Sequence, residues 1–115
     1  MNLDKIRNFC NSLPQVTESF PFDEEVLVWK VAGKIFCLGN IHAFDSINLK
    51  CDPERAVALR EEYPQIVPGW HMNKTMWNTV YLDGLQEKFI ESLILHSYRE
   101  VVRKLPKKIQ STIKL

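Results

Sequence analysis

Near the start of the chain, Leu3, Ile6, Phe9 and Cys10 fall at helical spacing among Asp4, Lys5 and Asn8. This pattern predicts a helix over residues 3–12 that Pro14 ends. Residues 17–25, Thr-Glu-Ser-Phe-Pro-Phe-Asp-Glu-Glu, are rich in turn formers and acids and read as a loop. Residues 26–31 and 34–38 then predict two strands joined at Ala32-Gly33, a tight hairpin in which Gly33 supplies a positive φ. A looser connection through Gly39, Asn40 and Asp45 leads to residues 46–50. There Ile47 and Leu49 alternate with Ser46, Asn48 and Lys50, as expected of a strand with one buried face.

The second helix carries the clearest signals. Asp52 is a good N-cap, Pro53 suits the first helical position, and Glu54 suits the helix dipole. Ala56, Val57 and Leu59 carry this helix to about Glu62, where Tyr63-Pro64 stops it. Residues 67–72, interrupted by Pro68-Gly69, predict a bent or edge strand. Residues 75–82 predict a firmer one, with Met76, Val80 and Leu82 toward the core and Trp77, Thr79 and Tyr81 facing away. After Asp83-Gly84, a wide apolar arc of Leu85, Phe89, Ile90, Leu93, Ile94, Val101 and Leu105 predicts a long helix over 85–105, ended by Pro106.

The expected order is therefore α-β3-α-β2-α. Short connections pair strands antiparallel, and helices on one face of the sheet make a two-layer α+β sandwich in one domain spanning residues 1–115. The other sheet face is then free, as a binding surface or a dimer interface. A length of 115 residues with 45% hydrophobic side chains suffices for a core without disulfide or metal staples. The chain opens on an amphipathic pattern rather than a signal-peptide core. No stretch reaches the roughly 18 apolar residues a membrane span needs. A cytoplasmic protein without membrane association is expected. Three cysteines, Cys10, Cys37 and Cys51, with no CxxC pair, read as reduced thiols. Cys51 lies near a helix start, which could lower a thiol pKa.

The net charge of +1 excludes a polycation, but its distribution is uneven. Residues 1–95 hold 9 basic and 13 acidic side chains, whereas residues 96–115 hold 6 basic and 1 acidic. Lys88, Ser92, His96, Arg99 and Arg103 share one polar arc of the last helix and lead to Lys107-Lys108. A basic strip is the electrostatic footprint of a phosphate-backbone contact, although cations also suit a helix C-terminus.

Signatures of enzymes are missing. No GxSxG, GxxxxGK[ST], GxGxxG, HExxH or CxxC occurs, so neither a cofactor nor a metal is expected, and the chain is expected not to be an enzyme. His71, Asn73 and Lys74 could bind a small molecule or anion at a turn, or could simply form a polar connection. Asp23-Glu24-Glu25 could chelate a cation or be solvated charge.

Lys34-x-Phe36, Leu49-Lys50 followed by Asp52-Pro53-Glu54, His71-x-Asn73-Lys74-x-x-Trp77 and Ser97-Tyr98 occur in this order and spacing. Together they resemble the MmcQ/YjbR family of small bacterial proteins, over nearly the whole chain. The resemblance implies an α-β3-α-β2-α fold with an antiparallel sheet, shared with type III secretion chaperones, and a DNA-binding "double wing". By position it implies a signature surface of Lys34, Lys50, His71, Asn73, Lys74 and Trp77, with no catalytic residues. The acidic turn 23–25 departs from the plainer Pro-Phe-Gly-like segment of the family.

The resulting expectation is a nucleic-acid-binding module, with DNA as the partner. Lys34, Lys50 and Lys74 would hold phosphates, Asn73 and Trp77 would meet sugar or base, and Arg99, Arg103, Lys107 and Lys108 would extend the strip. The alternative is a protein-interaction or chaperone-like module that uses the free sheet face for a protein partner or a second copy.

Overall fold

Asn2 starts the first helix, α1 (Leu3–Asn11), by accepting the Lys5 N–H on its side-chain oxygen at 2.9 Å. The computed structural model describes residues 1–69 and 72–114. Four strands follow: β1 (Val16–Ser19), β2 (Val26–Val31), β3 (Lys34–Asn40) and β4 (Ser46–Lys50). Helix α2 (Pro53–Glu62) leads to β5 (Ile66–Pro68) and β6 (Trp77–Tyr81), and the chain ends in α3 (Glu87–Val102) and α4 (Lys107–Gln110). The sheet is antiparallel and six-stranded, in the order β1-β2-β3-β4-β6-β5.

The α+β class and the antiparallel sheet agree with the sequence expectation, but the strand count does not. β1 overlaps the stretch 17–25 read as a loop, beginning one residue before it. Its side chains alternate only between half-buried and exposed, so it carries no apolar alternation to detect. Its ladder to β2 holds it, together with Glu18, which accepts from Arg7 at 2.7 Å and from Asn11 at 2.6 Å. The long last helix is also shorter than expected. It closes after Val102 in a turn, and Pro106 begins the separate α4.

Residues on one sheet face form the main core. Leu27, Trp29, Val31, Cys37, Ile47, Leu49, Val80 and Leu82 meet Ile6 and Cys10 of α1, Ala56 and Leu59 of α2, and Ile90, Ile94 and Tyr98 of α3. Phe36 belongs to this core as well, although alternation would send it to the other side. The β2–β3 register runs Trp29↔Cys37 then Lys30↔Ile35, so Phe36 is the extra residue of a β-bulge. The bulge turns both Phe36 and Cys37 toward the helices, and the Phe36 ring packs edge-on against Tyr98 at 5.4 Å.

Ser97-Tyr98 ties the layers together. The Ser97 hydroxyl donates to the Phe36 carbonyl and accepts the Lys50 N–H at 2.8 Å, while Tyr98 donates to the Pro14 carbonyl at 2.7 Å. On the opposite sheet face Val28, Leu38 and Trp77 form a smaller cluster with Val26, Ile35, Met72 and Met76 packed on it. Met76 therefore lies on this face and not in the main core, contrary to the strand register expected from sequence. β6 begins only at Trp77, and Met76 belongs to the preceding turn. Among the described residues no helix is long and apolar enough to cross a membrane.

Candidate functional site

The hairpin between β2 and β3 brings Lys34 to one end of the sheet. Ala32 and Gly33 both take positive φ, 48° and 83°, which closes a two-residue turn between the paired Val31 and Lys34. β4 ends and β6 begins at the same end, with Lys50 opposite Trp77. The turn that closes α3 delivers Lys104 there as well. Lys34, Ile35, Lys50, Val101, Lys104 and Leu105 line one pocket of about 290 Å³.

Burial pushes the Lys50 pKa below its ordinary value, and the neighbouring Lys104 ammonium pushes the same way. Glu100 acts on Lys50 in the opposite sense, but Arg103 holds that carboxylate at 2.8 and 3.0 Å. Lys104 also reaches the Met76 sulfur at 3.8 Å, so the 72–76 turn borders the pocket. That turn carries the exposed Asn73 and Lys74. The Asn73 side chain accepts the Thr75 N–H at 2.9 Å, and its carbonyl accepts from Met76 and Trp77, so Asn73 shapes the turn.

The other expected site residues are dispersed. Trp77 is 9% exposed in the second apolar cluster, so its ring offers little face for stacking. Arg99 is exposed on α3, and Lys107 and Lys108 are exposed on α4. The polar arc of α3 is interrupted, because Arg103 is paired with Glu100 and His96 turns inward. His96 accepts the Asp52 N–H at 3.1 Å, so that nitrogen carries no proton, and burial keeps the ring's pKa below the usual value. His71 lies outside the described residues. Sequence reasoning left Lys104 out of the site; only the turn after α3 aims it at Lys50.

Cys51 does not become an activated thiol. It is buried, and burial pushes its pKa up to about 11. Cys10 and Cys37 are fully buried as well.

A larger hollow of about 650 Å³ opens on the sheet face opposite the helices. Leu38, Asn48 and Thr79 line it together with Val26 and Met72, and Thr79 donates to the Asn48 side-chain oxygen. Phe22, Asp23 and Tyr81 also line it, with Phe22 66% and Tyr81 44% exposed. The acidic turn thus borders this hollow.

A two-layer α+β protein with a basic sheet end and a hollow on its open face is the class this geometry defines. Residues 11–100 match the YjbR family, and the chain belongs to that family. It is 38% identical over 104 residues to YbdF of Escherichia coli O157:H7, covering 89% of this chain and 85% of that protein. It is 32% identical over 108 residues to YjbR of Escherichia coli K12, covering 92% of each. The crystal structure of Deinococcus radiodurans DR2400, described by the domain name DUF419, superposes with a TM-score of 0.90 at 39% identity, over 96% of this chain and 86% of that one. A Pseudomonas syringae protein superposes with a TM-score of 0.75 at 28% identity, over 87% and 98%.

Proposed function

We propose that this chain is a cytoplasmic, non-catalytic binding module that contacts nucleic acid, with DNA the preferred form, through phosphates at the basic end of the sheet. The observation that carries this reading is the convergence of Lys34, Lys50 and Lys104 on one pocket, where Lys50 has a lowered pKa. Two ammonium groups held together favour an anion between them, and a phosphate would relieve both their repulsion and the partial desolvation of Lys50. Lys74 on the bordering turn would add a further contact, and Lys107-Lys108, just beyond Leu105, would extend it. Phosphates, rather than bases, are the expected targets, because lysines act as point charges and Trp77 is covered.

Fluorescence anisotropy with a labelled duplex tests the reading. Binding at low salt should weaken steeply as salt rises, with log K falling linearly in log salt. Replacing Lys34, Lys50 and Lys104 by Ala should flatten that slope by about 2–3 units, roughly one per lost phosphate contact. No binding at low salt, or a slope unchanged in the triple variant with its circular dichroism intact, overturns the proposal.

A further inference from the structure

The hollow on the open sheet face differs in charge from the basic end. Asp23 is its charged residue among the described lining, and the two neighbours Glu24 and Glu25 are acidic. The Glu25 and Val26 N–H groups both donate to Oδ1 of Asp23 at 2.8 Å. These bonds hold the carboxylate in place and keep its pKa below the ordinary value. Among the described residues nothing bonds Oδ2, which is then available to accept from a ligand. Phe22 and Tyr81 expose aromatic rings at the same hollow, and such rings attract a cation over their faces. Leu38 and Met72 provide an apolar floor, and the Asn48 amide adds a polar group beside it.

An oriented carboxylate, two exposed rings and an apolar floor suit a charged head on an apolar body. The volume of about 650 Å³ falls within the range of small-molecule sites. We propose that this hollow binds a small organic cation, an ammonium or guanidinium carried on an apolar stem. The head sits against Asp23 and the rings, and the stem lies on Leu38 and Met72. This site is distinct from the basic pocket and does not depend on nucleic-acid binding.

Amide NMR titration of the full chain with phenylethylammonium, neutral phenylethanol and phenylacetate tests the proposal. All three share an aromatic body and differ in charge. Phenylethylammonium should shift the Asp23, Leu38 and Asn48 amides saturably, and phenylacetate should not. Asp23→Asn, which retains an oxygen to accept the two N–H groups, should weaken the ammonium by about tenfold, the order of one solvent-screened ion pair, and leave phenylethanol unchanged. The Phe22→Ala/Tyr81→Ala variant, altered at exposed positions, should weaken both. The proposal is overturned if none of the probes binds at the hollow, if phenylacetate binds as tightly as the ammonium, or if Asp23→Asn leaves the ammonium affinity unchanged.

Discussion

Lys50 and Lys104 hold like charges against each other in one pocket at the end of the sheet. Their opposition has a direct consequence. Replacing Lys104 by Ala should raise the Lys50 pKa toward its ordinary value, because the largest cause of its depression after burial is gone. Inorganic phosphate should raise it too. An NMR titration of the Lys50 side chain reads both changes, and a Lys50 pKa indifferent to Lys104 would contradict the pairing.

Glu100 should act as a brake on the basic end. Its carboxylate holds Arg103 and also acts on Lys50. Glu100→Gln frees a cation and removes a negative charge, so duplex affinity at low salt should rise and the salt slope should steepen. Weaker binding in this variant would mean that Arg103 and Lys50 do not face the ligand.

Ser97 is expected to matter for stability rather than binding. Its fully buried hydroxyl bridges β3 and β4 through the Phe36 carbonyl and the Lys50 N–H. Ser97→Ala leaves both backbone groups without that partner, which should cost about 1–3 kcal/mol in denaturant unfolding. A loss well under 1 kcal/mol would show that the bridge is replaceable.

His96 should make stability depend on pH. Burial lowers its folded pKa below 6.5, and Arg55 on α2 reinforces this, against the opposing pull of Asp52 and Glu100. Above pH about 6.5 the ring is neutral in both the folded and unfolded states, and its contribution is intact. As pH falls below that value the unfolded chain binds the proton first, so stability declines until the folded pKa is passed. His96→Gln, which can still accept the Asp52 N–H, should show a shallower decline between pH 7 and 5.

The turn at Ala32 offers a gain. An alanine at φ 48° sits where L side chains are disfavoured, and Asn-Gly is the preferred pair for such a hairpin. Ala32→Asn should raise stability by about 1 kcal/mol and the melting temperature by a few degrees. An unchanged or lower midpoint would show that the turn carries no strain.

Much of this architecture is written in local chemistry. Asp52-Pro53-Glu54 marks α2 correctly, with the Asp52 carboxylate accepting the Arg55 N–H as a cap. Ile47 and Leu49 face the core as their alternation indicates. β1 is illegible because its stability comes from the β2 ladder and the Arg7–Glu18 pair, which leave no apolar period. The basic site is half legible. Lys34 and Lys50 stand out by position, whereas Lys104 joins them only through the turn that closes α3. Trp77 shows the limit of alternation: it faces away from the helices as expected, yet Val28, Leu38 and the 72–76 turn cover it. Cys51 illustrates the same limit, because proximity to a helix start matters less to its thiol than burial does.

The sheet is bounded by its two shortest strands. β1 has four residues and β5 three, and the last of these, Pro68, has no N–H to give. Each border thus presents too few free peptide groups to template another strand. Growth by edge-to-edge stacking, the usual route from an open sheet to fibrils, has no foothold. The protein can keep the hollow on its second sheet face open without offering copies of itself a continuous ladder.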